Sequence, residues 1–362
     1  MRGTHTPFRS PLRRRQRGLT LVEFLISITI GLLMVAALAT LIADQSGNRA
    51  EVDRAGRLIE NGRYGIRVMT DDLQLSGYWG ELSGVPSAVA LAALPDPCAL
   101  DLATLESASQ LHIQGYNAPA AAAVPACISN QRLGTDILVV RHADPDTSAL
   151  ETAGVTDMAK LTAGQLHIQT GLNAASSAFF SIVKFAGTSA DNVANFTLVK
   201  KDKVTVATVR KVVTRIYYIA SCSVEVGGSC TGADGGNPVP TLKMLELTAA
   251  GGAAVWAPAV TIAEGVENMQ VDYGLDINGD GSPEGDDVDG SLLTFATWGD
   301  VMSVKIHLVA RSLEKTPNFS DGKKYMLGTA GEISPPAGDE GYKRHVFVQS
   351  VRLVNPSARR SS

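Results

Sequence analysis

From Leu19 to Ala43 the chain reads LTLVEFLISITIGLLMVAALATLIA, an apolar run whose one charged residue is Glu23. Wound as a helix at about 1.5 Å per residue, such a run covers the roughly 30 Å hydrocarbon core of a bilayer, so a membrane span is expected. Ahead of it stand Arg2, Arg9, Arg13, Arg14, Arg15 and Arg17, with no acid among them. Basic flanks stay in the cytoplasm, which sends everything after Ala43 outward. A secretory signal peptide is the competing reading, but its apolar region is shorter and closes on a small-residue cleavage site. This run is too long for that, and its one acid sits near its start.

A carboxylate deep in a bilayer costs about 2.5 kcal/mol or more, so Glu23 needs a shallow seat or a positive partner. The segment Arg17-Gly18-Leu19-Thr20-Leu21-Val22-Glu23 resembles the class III signal of type IV prepilins: a basic leader, Gly18 as its last residue, a hydrophobic Leu19, and Glu five places in. The resemblance implies that prepilin peptidase cuts between Gly18 and Leu19 and that Leu19 is N-methylated. It also implies that Glu23 is the assembly carboxylate, meeting the terminal amine of a neighbouring subunit. Leu19 departs from the family's commoner Phe. The plain alternative is a membrane anchor that happens to carry Glu23.

Beyond Ala43 the composition turns polar, yet Val52, Ala55, Ile59, Gly62, Ile66, Met69 and Leu73 recur at steps of three and four. That period predicts one small or apolar stripe on a continuing helix. Asp53, Arg57, Glu60, Arg63, Arg67 and Asp71 occupy the other side. Gly62 and Gly65 cost the helix up to about 1 kcal/mol each unless close packing uses the missing side chain. The stripe is too small and interrupted for a strong coiled-coil zipper, so support of the chain's own sheet is the better reading. Ser76-Gly77-Tyr78-Trp79-Gly80 breaks the pattern and predicts a helix end near Leu75. Gly62-Arg63-Tyr64-Gly65-Ile66, Gly77-Tyr78-Trp79-Gly80 and the run from Arg344 to Pro356 together resemble the PilW-like minor pilins.

The body is turn-rich, with 35 Gly and 16 Pro in 362 residues, and its strand-like runs predict a mainly β head. These runs are Gln110–Tyr116, Asp136–His142, Gln165–Thr170, Val209–Ala220, Leu242–Leu247, Met269–Tyr273, Val301–Ser312 and Arg344–Val354. The stretch from Val85 to Pro125 reads as irregular loop around the first of them. Once the basic leader is set aside, the net charge of −4 becomes more negative still, which argues against a nucleic-acid partner. Cys98, Cys127, Cys222 and Cys230 have no metal spacing; in an exported body they allow two disulfides, and Cys98–Cys127 with Cys222–Cys230 is one of three connectivities. His112, His142, His167, His307 and His345 fall singly on strands without ligand spacing, so a satisfied sheet histidine is the reading for each. Gly227-Gly228-Ser229-Cys230-Thr231 misses the nucleophile elbow and Gly279-Asp280-Gly281 lacks a dinucleotide loop's third glycine. Nothing in the sequence points to an enzyme.

Residues 276–287, Asp-Ile-Asn-Gly-Asp-Gly-Ser-Pro-Glu-Gly-Asp-Asp, fit the twelve-residue calcium-loop pattern. Asp276, Asn278 and Asp280 are the candidate side-chain ligands, Ser282 offers a carbonyl, Glu284 acts directly or through water, and Asp287 closes the loop. Two features depart from an EF-hand: Asp at the twelfth place instead of Glu, and a preceding strand instead of a helix. A solvated turn is the alternative, since Asp, Asn and Gly all favour turns.

The expectation is an α+β, pilin-like chain whose long N-terminal helix packs on a mainly antiparallel β-sheet head. Residues 1–18 are the prepilin leader, 19–43 the transmembrane and filament-core helix, 44–78 its amphipathic continuation, and 79–362 a β-rich periplasmic head. By resemblance the function is that of a minor pilin-like structural subunit that primes type IV pilus assembly at or near the tip. It would start in the bacterial inner membrane and end at the cell surface. Its partners would be prepilin peptidase, other minor pilins, the major pilin and the inner-membrane assembly platform. A minor pseudopilin of type II secretion and a membrane-anchored adhesin are the rivals.

Overall fold

The computed structural model describes residues 18, 20–82, 93–171, 180–285 and 287–360. Two compact units meet in sequence between Asp53 and Arg54. Helix α1 (Leu21–Leu75) begins in the first and ends in the second, close to where the Ser-Gly break predicts. In the first unit the helical side chains from Leu21 to Ala50 are all exposed, and the helix is long and apolar enough to cross a membrane. Leu19 and the leader before Gly18 lie outside the described residues.

The second unit is built on two antiparallel sheets. The larger holds β1 (Ile113–Tyr116), β2 (Ile137–Ala143), β3 (Leu166–Gly171), β4 (Phe180–Phe185), β5 (Val209–Ala220), β6 (Thr241–Ala250), β7 (Ala253–Trp256) and β8 (Val260–Glu264). Its spine is β5, whose Val, Ile, Thr and Tyr content suits a pleated, buried strand. Residues Val212–Tyr217 of β5 pair with β2, Arg215–Ala220 pair with β6, and Val209–Lys211 pair with β3. The smaller sheet runs β10 (Val288–Asp289), β9 (Val266–Leu275), β11 (Val301–Arg311), β12 (Arg344–Arg352), with β12 at one edge.

One core joins both sheets to the helix. Met69 and Leu73 of α1 are fully buried with Leu138, Tyr217 and Leu242 of the larger sheet and Val271, Ile306 and Leu308 of the smaller. The two helix glycines are used as contact points. A Cβ on Gly62 would fall 2.1 Å from the Phe347 ring of β12, and one on Gly65 would lie 3.1 Å from Leu242. Their propensity cost is therefore offset by close approach of the sheets, since any added atom here overpacks the core.

Several expectations need correction. The buried helix face is Leu58, Gly62, Gly65, Met69, Asp72 and Leu73, while Ala55 and Val52 are exposed. The stripe is thus rotated by about one residue and starts later than the periodicity alone suggests. Between Val85 and Pro125, part of which lies outside the described residues, helix α2 (Leu102–Ala108) replaces irregular loop; the Asp101 side chain caps it by accepting from the Thr104 N–H at 2.9 Å. Strands β4, β7, β8 and β10 lie outside the runs that the sequence predicts. For β7 the signal is Gly251-Gly252, whose φ values of +60° and +81° make the two-residue hairpin turn that joins it to β6. Helix α3 (Ser189–Asn195) follows β4, and after β12 the chain forms helix α4 (Val354–Arg360) instead of continuing as strand. The disulfides are Cys98–Cys127 and Cys222–Cys230, with Cα separations of 5.5 and 5.4 Å, so the sequence-near connectivity is the one adopted.

Candidate functional site

At the helix start, Gly18 is exposed and Thr20 is the capping residue. The Thr20 hydroxyl oxygen accepts from the Glu23 N–H at 3.2 Å, and the Thr20 N–H and hydroxyl donate to Glu23 Oε2 at 2.9 and 3.0 Å. This is a reciprocal capping box, which satisfies donors that the first turn would otherwise leave orphaned. Glu23 thus sits in the first turn, where the helix dipole favours a negative charge. Its other oxygen, Oε1, has no hydrogen-bond partner among the described residues. Thr-x-x-Glu at positions 20–23 was a legible signal for this geometry.

The acidic loop follows β9. Ligand oxygens of Asp276, Asp280 and Glu284 lie within 4.8 Å of one another. Asp276 is almost wholly buried and accepts the backbone N–H groups of Gly279, Asp280 and Gly281 at 2.7, 3.1 and 3.0 Å. Asn278 donates to Asp280 at 3.1 Å, and the Ser282 N–H donates to Asp280 at 2.8 Å. Glu284 reaches back to accept from the Ile277 N–H at 2.6 Å. Asp287 does not join this group: its carboxylate pairs with Lys305 of β11 at 2.7 Å. Bases also approach from distant parts of the chain. Arg360 of α4 lies 3.4 Å from Asp276 and also bonds Asp300, while Arg352 donates to the Gly281 carbonyl at 3.1 Å. Residues 276–287 contain no Lys or Arg of their own; these three come from β11, β12 and α4.

The site that the sequence hid is Asp72. It lies on the inward face of α1 and is buried, with Oδ1 accepting from His142 at 3.0 Å and from Arg215 at 2.7 Å, and Oδ2 accepting from the Tyr217 hydroxyl at 3.0 Å. Arg215 and Lys211 of β5 also hold Glu246 of β6 at 2.9 and 2.6 Å. Burial pushes the Asp72 carboxyl up, but the bonds from His142, Arg215 and Tyr217 outweigh it and hold it below its ordinary value. The signal was an acid three residues after Met69, hence inside the apolar stripe. The other histidines among the described residues also have partners: His112 contacts the Val301 carbonyl at 2.7 Å, His167 the Gln165 carbonyl at 2.9 Å and His307 the Asp272 carboxylate at 3.1 Å, while the His345 ring packs edge-on against Phe347.

Two family models match the chain. Residues 216–355 match the type IV pilus-assembly protein W family, and residues 13–39 match the prokaryotic N-terminal methylation motif. No curated protein matches the chain in sequence. Among solved structures, a type IV-like pilin from Thermus thermophilus aligns at 13% identity and a TM-score of 0.31, over 83% of this chain and 98% of its own.

Replacing Asp72 with Asn should leave Arg215 and His142 facing a neutral amide and cost about 3 kcal/mol at pH 7, read by chemical unfolding of the full chain in neutral detergent. The folded carboxyl titrates below the unfolded value of about 3.9, so its contribution is complete above about pH 4 and is lost as pH falls through the folded value. The stability gap between wild type and Asp72→Asn should therefore narrow in acid. An equal gap at pH 7 and pH 3 would show that charge is not its source.

Proposed function

We propose that this chain is a PilW-like, type IV pilin-like structural subunit, processed by prepilin peptidase at its methylation motif, and that it is a minor pilin that primes pilus assembly at or near the filament tip. The observation that carries the reading is the conjunction, in one chain, of the methylation motif at 13–39, a membrane-length helix starting at Leu21 and the pilus-assembly domain at 216–355. Cleavage falls between Gly18 and Leu19, and residues 19–43 hold the chain in the inner membrane with its head in the periplasm. The same segment then packs into the filament core beside the major pilin and other minor pilins, delivered by the inner-membrane assembly platform.

Glu23 is the register contact in this scheme. Its capping box supports the role by presenting the carboxylate at the helix N-terminus with Oε1 uncommitted, so an incoming methylated amine meets a pre-oriented acceptor. Replacing Glu23 with Ala should cut recovery of the subunit in sheared filaments severalfold and reduce piliation, while its level in the membrane stays the same. Unchanged recovery and unchanged piliation would contradict the role.

A second reading concerns the acidic loop: it binds calcium through Asp276, Asn278, Asp280, Ser282 and Glu284. The convergence of three carboxylates favours it, since a hard cation prefers oxygen donors. Asp287, tied to Lys305, supplies charge nearby and would join the ion only by leaving that lysine. Calcium, when bound, would neutralise the clustered acids and stiffen the loop against α4. Millimolar calcium should raise the melting temperature of the full chain in neutral detergent by a few degrees, and Asp280→Asn should abolish the rise. An absence of any calcium-dependent shift in the wild type would overturn this reading.

A further inference from the structure

A cavity of about 250 Å³ opens where β9 and β11 meet the turn at residues 131–135 and the hairpin around Ile333. It is shaped by a β-bulge: Val266 pairs with Ala310 and Asn268 with Val309, so Glu267 is an extra residue in β9. Bulges of this kind re-aim side chains, here placing Glu267 and Asn268 in the cavity wall together. The remaining wall is largely apolar, from Val309, Ile333 and Pro335 among others.

The polar groups in this wall are unequally satisfied. Glu267 is buried and its carboxylate is taken by Arg344, which donates to both oxygens, with Arg311 at 3.9 Å. Asn268 gives its oxygen to the Gln270 side chain at 2.8 Å, which leaves its amide N–H₂ group as a donor without an acceptor among the described residues. Arg132 is half-buried, and its backbone is pinned by a 2.7 Å bond from its N–H to the Ile219 carbonyl and another of 2.7 Å from the Thr135 hydroxyl to its own carbonyl. Its guanidinium has no hydrogen-bond or ion-pair partner among the described residues. Burial works against its charge, so an acceptor would relieve a real cost. A guanidinium fork offers paired donors in the geometry of a carboxylate.

We propose that this cavity binds a small organic carboxylate, with its anionic end on Arg132 and Asn268 and its apolar body against Val309, Ile333 and Pro335. The volume lies just below the roughly 300 Å³ at which sites for drug-sized ligands begin, so the occupant is fragment-sized or is a single apolar residue at a chain's carboxyl end. Nothing in the filament role requires this site. It lies on the head, and its donors are separate from both Glu23 and the acidic loop.

The test is isothermal titration of the full chain in neutral detergent with 3-phenylpropionate and with its uncharged amide. The acid should bind saturably and the amide at least tenfold more weakly, a comparison that needs no variant. Arg132→Gln should weaken the acid at least tenfold, with thermal unfolding as the check that the fold is intact. A short peptide ending in Phe, with free or amidated carboxyl, separates the two sources: tighter binding of the free-ended peptide than of phenylpropionate identifies a chain terminus, and the reverse identifies a small molecule. No saturable binding by either acid, or equal binding of acid and amide, would overturn the proposal.

Discussion

Close approach of the Arg54–Leu75 segment of α1 to two sheets at once is the constraint from which the rest of the head follows. Gly62 admits the Phe347 ring from the smaller sheet, and Gly65 admits Leu242 from the larger and Leu308 from the smaller. With the sheets that near, Met69 and Leu73 are sealed, and so is Asp72 beside them. A buried carboxylate is tolerable only with partners, and β2 and β5 provide them as His142, Arg215 and Tyr217. Packing thus dictates the electrostatics: the glycines set the distance, and the distance forces the network.

Much of this was readable in the sequence where local chemistry decides the outcome. The helix end near Leu75 follows from Ser76-Gly77, and the span of β5 from its β-branched and aromatic run. For the glycine pair in α1, the condition under which its helix cost is offset, close packing against the missing side chains, is met. Other features were not local. The buried helix face takes in Asp72, whose partners lie on strands about seventy and one hundred and forty residues away. Strand β4 and helix α4 are short elements fixed by their neighbours more than by their own pattern.

The functional residues divide in the same way. Glu23 and its Thr20 partner are three residues apart, so a motif captures them. The acidic loop is a contiguous run, and its carboxylates do converge, but the bases that share it come from β11, β12 and α4 and were invisible to a linear reading. Asp72 and Arg132 are the extreme cases. One is defined by partners distributed across the fold, and the other by a guanidinium beside a cavity that has no hydrogen-bonded acceptor among the described residues. Neither follows from spacing along the chain.

The role of this chain depends on its entering the prepilin pathway, and mass spectrometry of the native N-terminus tests this most directly. The predicted polypeptide begins at Leu19 and carries one methyl group on its α-amine. A chain that retains Met1, or one cut after the apolar run near Ala43, would contradict it.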